Sequence, residues 1–375
     1  MLFRNLVIFF LSYVKFNNCF NIGGFKIEWP TKLEDLNLYC KFKECCNDNW
    51  IKYNRVRLVK NLTDRVYGQP LLNEAVDALS AHFNPYYPPT KALTLSFHGM
   101  TGTGKNFVSK FIAESIYKAG SKSKYVHHFI GRMHFSERSK VHEYKSDLYS
   151  WLKGNMSDCP QQLFIFDEVD KIVPEVLNAI KPVIDYRDNV DGIDYSQSVF
   201  IFLSNTGADL INEHYYDLHM SEGKSREQLS LTDFEWLIKK GIFNEEGWLN
   251  KENSYFINIA KKVYYFSFIG SFYQFISTLG GFHHSDTIKN NLIDHYIPFL
   301  PLEERHIRSC IREEFRLKSV TNPRKEHIEQ IMQYIEWGPD SSKTFSKTGC
   351  KRIGQKVALL VAKYYKQYFT GRDEL

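Results

Sequence analysis

The stretch Gly99-Met100-Thr101-Gly102-Thr103-Gly104-Lys105-Asn106 constrains this chain more than any other. It follows an alternating run over residues 92–97 that reads as a half-buried strand. It leads into residues 107–119, where Phe107, Val108, Phe111, Ile112 and Ile116 recur at helical spacing. Strand, glycine-rich turn and helix, in that order, are the context of a phosphate-binding loop. The glycines let the backbone close round a phosphate with its N–H groups inward, and the helix N-terminus adds partial positive charge. Lys105 would reach the β- and γ-phosphates. Asn106 departs from the general pattern, since Ser or Thr usually offers Mg²⁺ a hydroxyl there.

Strand and helix patterns alternate from this point. Residues 125–130 read as a second strand, 140–153 as a polar helix and 163–166 as an uninterrupted apolar strand. A helix is expected over 173–184, an acidic loop over 185–194 and another buried strand over 198–203. Ahead of the loop, residues 24–64 read as mostly helical, and 71–83 as a helix with Leu72, Ala75, Leu79 and Phe83 on one side. The alternation predicts an α/β fold, a parallel sheet flanked by helices. Beyond Leu300-Pro301 only helices are expected, over 303–319, 325–336 and 351–369, as a small all-helical subdomain. Its last helix carries Val357, Leu360, Val361, Tyr364 and Tyr368 as a packing stripe.

The apolar strand ends in Asp167-Glu168, about sixty residues after Lys105. In an open parallel sheet the ligand side is the carboxyl edge of the strands. There Asp167 would hold Mg²⁺ directly or through water, with Asn106 a second contact, and Glu168 would polarise the attacking water as general base. Asn205 closes the strand over 198–203 on the same edge, where an amide can bond the γ-phosphate or the lytic water; a turn-forming Asn fits there too.

The two ends of the chain carry addresses. Met1-Leu-Phe-Arg4 and the short apolar run over residues 6–11 have the form of a secretory signal, with cleavage expected near residues 18–23. A buried N-terminal strand is the other reading of that run. The final Arg372-Asp373-Glu374-Leu375 is one conservative step from an endoplasmic-reticulum retrieval tetrapeptide. Together they predict the lumen of the endoplasmic reticulum, and the sequons at Asn61 and Asn155 suit that address as surface glycosylation sites. Of seven cysteines, signal cleavage would remove Cys19 and leave an even number suited to disulfides. Cys40, Cys45 and Cys46 also resemble half a zinc site, but no His/Cys pair at metal spacing follows. A formal charge of +5, with no Lys/Arg block, gives no nucleic-acid footprint.

Gly68-Gln69, the Gly102-Thr-Gly-Lys-Asn106 loop, Phe166-Asp-Glu-Val-Asp-Lys171 and Phe202-Leu-Ser-Asn205 resemble an AAA+ ATPase, and specifically a torsin. Asn106 is itself a torsin feature, and the Cys40 cluster, Leu229-Ser-Leu-Thr-Asp-Phe234, Pro298-Phe-Leu-Pro-Leu302 and Gly349-Cys350-Lys351 fit as well. The resemblance covers roughly residues 35–365. It implies an AAA+ P-loop fold with a C-terminal helical lid, ATP and Mg²⁺ as cofactors, and Lys351 as the sensor-2 residue reporting on bound nucleotide. It also implies a Cys310–Cys350 disulfide beside that sensor and a Cys40–Cys159 pair. A disulfide so placed would let redox state tune ATP binding. Torsins hydrolyse ATP poorly alone, lack an arginine finger of their own and are activated by membrane-anchored luminal partners. The resemblance therefore implies a remodeller of protein clients or membrane-associated assemblies, as a homo- or hetero-oligomer, in the endoplasmic reticulum or the perinuclear space.

The expected organisation is a signal over 1–22, a cysteine-containing segment over 23–64, a nucleotide-binding subdomain over 65–300, a lid over 301–371 and the retrieval signal over 372–375. An aromatic-rich stretch near 250–280 falls outside the family pattern: Glu246-Gly247 would join Gly281-Phe282 naturally without it. It reads as an insertion or a gene-modelling artefact, then as a packed helix, then as a membrane-associating one. The rival to an ATPase is an ATP-gated protein-binding module with little or no hydrolysis. A thiol-redox protein is disfavoured because no Cys-x-x-Cys is present.

Overall fold

The computed structural model describes residues 19–22, 25–28, 38–185, 191–242, 292–339 and 342–365. The expected signal core, the 250–280 stretch, Tyr368 and the retrieval tetrapeptide lie outside the described residues. None of the described helices is long and apolar enough to cross a membrane.

Two compact units divide between Trp50 and Ile51. The first contains β1 (Cys19–Ile22) paired antiparallel with β2 (Phe25–Glu28), followed by α1 (Leu38–Phe42). The helical reading of residues 24–64 is thus corrected over β2. It passed over Gly23-Gly24, a dipeptide that a two-residue hairpin favours. Cys40 bonds Cys45, so the Cys40–Cys159 pair is not formed. Cys45 is only five positions after Cys40, and the bend after α1 brings their Cα atoms to 5.5 Å.

In the second unit, α2 (Arg55–Arg65) starts from Asn54, whose side chain accepts the Arg57 N–H at 2.9 Å. Helix α3 (Leu72–His82) buries Leu72, Ala75, Val76 and Leu79 at helical spacing. Strand β3 (Leu93–Gly99) feeds α4 (Lys105–Ile116) and is buried along its whole length, not on one face as its alternation predicts, because Thr94, Ser96 and His98 find hydrogen-bond partners inside. Next come β4 (Val126–Ile130), the single turn α5 (Gly131–His134), the long α6 (Val141–Asp158) and β5 (Leu163–Asp167). A 3₁₀ turn over 169–171 follows β5, and the helix expected over 173–184 is instead a 3₁₀ turn over 176–180 and the single turn α7 (Lys181–Ile184). Pro174 and Pro182 remove helical donors, and Glu175 takes a left-handed φ of 74°. β6 (Val199–Ser204), α8 (Ala208–Ser221), α9 (Glu235–Ile242) and β7 (His295–Phe299) complete this part of the unit.

The sheet has the order β4-β5-β6-β3-β7, and every pairing is parallel. β7 was not foreseen, because Pro298 argues against a strand. It lies at the edge of the sheet, where a proline is tolerated. Register is fixed by aromatic ladders across one face. Phe129, Phe166 and Phe202 stack at 5.0 and 5.5 Å, and His127, Phe164 and Phe200 at 5.1 and 4.9 Å. A slip of one residue would turn every one of these rings to the other face. Trp151 of α6 stands edge-on against Phe129 and His127 and covers the ladder at the β4 edge. The ladders hold the carboxyl ends of β5 and β6 level, beside that of β3.

The chain then continues through α10 (Glu304–Leu317), α11 (Lys325–Met332), the short pair β8 (Trp337–Gly338) and β9 (Phe345–Ser346), and α12 (Ile353–Tyr364). These elements share a separate core in which Ile307, Ile311 and Phe315 of α10 meet Val357, Leu360 and Val361 of α12. The packing stripe read on the last helix is corrected at one position: Tyr364 is exposed, and Tyr365 is buried in its place.

A fully buried arginine joins this lid to the sheet subdomain. Arg226 donates to Glu303 Oε1 from Nε (3.1 Å) and Nη2 (2.6 Å), to the Gly68 carbonyl (2.6 Å) and to the Pro301 carbonyl (2.7 Å). Its guanidinium lies 4.6 Å from the Tyr215 ring centre, and the Tyr215 hydroxyl also donates to Glu303. Burial works to raise the Glu303 carboxyl, but the Arg226 charge and hydrogen bonds overcome it and hold it down at about 2.

Candidate functional site

A cavity of about 420 Å³ opens at the carboxyl edge of the sheet, between it and the lid. Residues Thr101 to Asn106 line its floor. Gly99 and Met100 precede them as the end of β3 and the entry to the loop. The first N–H groups of α4 have no intrahelical partner, which makes this end of the helix an anion cradle. The Lys105 ammonium is buried and donates to the carbonyls of Gly99 (2.5 Å) and Met100 (2.9 Å) and to Asn205 Oδ1 (3.1 Å). Burial pulls its pKa down to about 8, against the pull of the Asp170 and Asp167 charges.

β5 and β6 deliver the polar groups of the opposite wall. The Asp167 carboxylate accepts from the Asn106 side-chain amide and from the Glu168 backbone N–H, and lies 3.8 Å from His128 Nε2. Burial acts to raise its pKa, but these donors outweigh burial and hold it below the ordinary value. Asp167 therefore stays ionised. Glu168 directly follows in the left-handed region, at φ 52° and ψ 46°, a conformation that is costly for this residue type and collects at functional sites. Its carboxylate faces Arg132 of α5 at 3.8 Å. Asn205 follows β6 with its amide oxygen on Lys105 and its backbone N–H on Asp170 Oδ1 at 3.3 Å.

The lid closes the third side through its backbone. Gly349 has φ +54°, and a Cβ there would stand 2.3 Å from the Gly102 carbonyl oxygen; a Cβ on Gly102 would stand 2.1 Å from the Thr348 oxygen. Only two glycines allow this approach. The Cys350 N–H donates to the Gly102 carbonyl at 3.0 Å, and Cys350 is bonded to Cys310 of α10. Lys351 lines the cavity directly after this contact. Val66, Tyr67, Leu302, Cys310 and Leu317 form a more apolar end, with Glu313 and Glu314 at its rim.

The structure thus brings the loop residues, Asp167, Glu168, Asn205 and Lys351 to one cavity. Asn61 and Asn155 are elsewhere: they are half-buried on α2 and in the last turn of α6, where the Asn155 side chain donates to the Trp151 carbonyl. Three contributors escaped the sequence reading of the site. Gln69 donates from Nε2 to the Leu300 (2.9 Å) and Thr103 (3.3 Å) carbonyls and accepts the Leu300 N–H, binding the loop to the end of β7. Arg132 and Asp170 are the others. Asp170 stands inside a quoted motif, but its partner is 35 residues away, beyond the reach of local pattern.

For a divalent cation the donors fit. Asp167 is an ionised carboxylate beside an amide, both hard oxygen ligands. Among the described residues no group of three or more His, Cys, Asp or Glu side chains could hold a metal. Mg²⁺ is usually held by one or two protein oxygens together with substrate phosphates.

Comparison with known proteins agrees with this geometry. The family model for "Torsin" matches residues 40–166, and that for "Torsin-1A, C-terminal domain" matches residues 302–360. A torsin-like protein of Caenorhabditis elegans is 33% identical over 335 residues, covering 87% of this chain and 83% of the relative. Torsin-3A of Homo sapiens is 34% identical over 323 residues, covering 85% of this chain and 72% of the relative. Among solved structures, the S. cerevisiae Hsp104-ADP complex superposes with a TM-score of 0.50 at 16% identity, over 91% of this chain and half of that one. This likeness speaks for the fold alone, an AAA+ sheet subdomain with a helical lid. On its sequence relatives, the chain belongs to the torsin family of AAA+ ATPases.

Proposed function

We propose that the chain binds ATP with Mg²⁺ and hydrolyses it to ADP and phosphate, in the lumen of the endoplasmic reticulum or the perinuclear space. There it would remodel protein clients or membrane-associated assemblies. The observation that carries the hydrolytic part is the convergence of Lys105, Asp167, Glu168, Asn205 and Lys351 on one cavity. Lys105, the loop amides and Lys351 would hold the phosphates, and Asp167 with Asn106 would hold Mg²⁺, whose charge neutralises the phosphate oxygens. Glu168 would take a proton from the attacking water, which Asn205 would orient.

Turnover by the chain alone would be slow, and a membrane-anchored luminal partner would raise it. One feature supports this. Among the described residues, Arg132 faces Glu168 itself at 3.8 Å and Arg65, which lines the cavity, is paired with Glu313 at 3.0 Å, so the charge that stabilises the transition state would come from outside. The Arg132 contact also favours the second reading, an ATP-gated binding module with little hydrolysis. The test is ATP turnover by the purified chain, alone and with candidate luminal activator domains. Turnover that rises sharply with a partner and vanishes in Glu168→Gln supports the ATPase. ATP binding without turnover under any partner supports the module and refutes the ATPase.

A further inference from the structure

The buried carboxylate of Asp170 is used by no step above. It lies on the 3₁₀ turn over 169–171, directly after the left-handed Glu168, and its side chain is only 8% exposed. Oδ1 accepts the backbone N–H of Asn205 at 3.3 Å, while Oδ2 pairs with Lys171 at 3.2 Å. The strand ends β5 and β6 are paired only as far as Phe166 and Phe202, so the two turns beyond them need a separate tie. Asp170 supplies it.

Asn205 is held from other sides as well. Thr206 N–H donates to Ser204 Oγ at 3.0 Å, and the Thr206 carbonyl lies 3.2 Å from His98 Nδ1, which fixes the turn to β6 and β3. The Asn205 amide oxygen accepts a hydrogen bond from Lys105 at 3.1 Å. Among the described residues, the contact to Asp170 is the hydrogen bond that connects the turn bearing Glu168 to the turn bearing Asn205.

We infer that Asp170 is a positioning residue for hydrolysis: it sets Asn205 relative to Glu168, so that base and water-orienting amide act as one unit. This rests on the reading of Asn205 and Glu168 given above. The charge of Asp170 also helps to keep the buried Lys105 ammonium protonated. A displacement of about 1 Å in such a pair costs on the order of a hundredfold in rate.

Two measurements on the full chain test this. The first is single-turnover hydrolysis of MgATP with protein in excess, for wild type, Asp170→Ala, Asn205→Ala and the double variant, alongside MgATP affinity. Asp170→Ala is expected to slow hydrolysis by about ten- to a hundredfold, with affinity within about threefold of wild type, and the double variant to be no slower than Asn205→Ala alone. Wild-type hydrolysis in Asp170→Ala, or losses that multiply in the double variant, would overturn the inference. Wild-type hydrolysis in Asn205→Ala would instead overturn the parent reading.

The second is amide hydrogen exchange, which needs no turnover. Asp170→Ala should speed exchange in the peptide spanning Asn205 and leave β3 protected. Asp170→Asn, which keeps an acceptor oxygen, should retain protection at both. Unchanged exchange at Asn205 in the alanine variant, or equal loss in both variants, overturns the inference. Where the alanine variant loses β3 protection and has therefore unfolded, Asp170→Glu decides. It keeps the charge but moves the acceptor, and should speed exchange at Asn205 alone.

Discussion

Replacing Arg226 with leucine tests how the lid is held to the nucleotide-binding subdomain. The substitution removes four hydrogen bonds from a fully buried guanidinium: two to Glu303 and one each to the carbonyls of Gly68 and Pro301. Glu303 keeps Tyr215 and Arg305 but loses its buried cation. Breaking one side of a buried pair costs about 3–5 kcal/mol, a large share of the roughly 5–15 kcal/mol that holds a domain folded. At about 2–4 °C per kcal/mol, the melting temperature should fall by roughly 6–20 °C. Because the pair also bears a desolvation cost, replacing both partners, as in Arg226→Leu with Glu303→Leu, should lose less than the sum of the two single changes.

The acid limb of denaturation gives an independent reading. A carboxyl held near 2, against an ordinary 4.5, contributes stability that is whole above pH 4.5 and is lost as pH falls toward 2. His306, held at about 4 by burial and by Arg226, loses its contribution over a higher window, from pH 6.5 down to 4. The Glu303 contribution is therefore read below pH 4. Urea unfolding at a series of pH values should show a steep loss there in wild type and a flatter one in Arg226→Leu. An unchanged midpoint at neutral pH, or identical acid limbs, would refute the account of Arg226 as the pin of the hinge.

Three further expectations follow from the cavity. Gly349→Ala should weaken MgATP binding by tenfold or more while the lid stays folded, because its Cβ would meet the Gly102 carbonyl at 2.3 Å; wild-type affinity by calorimetry would contradict this. Reducing Cys310–Cys350 releases the segment that donates to Gly102, so ATP affinity should fall several-fold in reduced protein; equal affinities in both redox states would count against any coupling. Lys105, brought to about 8 by burial, carries its full charge below that pH. MgATP affinity should therefore decline as pH rises through 8, whereas Lys105→Arg should stay flat over the same range. Stability runs the other way. Between pH 8 and 10.5 the unfolded chain binds the Lys105 proton that the folded chain does not, so this group favours folding as pH rises.

The parts of the fold legible in the sequence are those where local pattern and burial agree. β5 and β6 are short apolar runs that could be read as strands because both faces are covered; β3 could be read as a strand from its alternation, but not as one buried on both faces. β7 could not, since Pro298 is acceptable only at an edge, and edge position is a fact of topology. The helix expected over 173–184 failed because apolar periodicity was weighed above Pro174 and Pro182. The loop, Asp167, Glu168 and Asn205 were legible because each ends a strand on the ligand edge. Arg132 and Arg226 were not, because their partners are distant in the chain and no spacing announces them; Gln69 and Asp170 stand in quoted motifs, but their distant partners could not be read there.

These four residues have something in common. Each is a polar side chain that spans two segments whose backbones the sheet leaves unconnected: Gln69 joins the loop to β7, Arg226 joins the lid to the Gly68 strap, Asp170 joins two catalytic turns and Arg132 joins α5 to Glu168. Apolar packing is non-directional and roughly proportional to area, so it can bring these segments together without setting their relative rotation. Hydrogen bonds from fixed donors can. On the proposed function, a site that binds phosphates between a sheet and a lid has to keep those parts in register. Its precision must therefore reside in such bridges. The glycine contact between Gly102 and Gly349 serves the same end with no side chain at all, letting a lid backbone N–H read the phosphate loop directly.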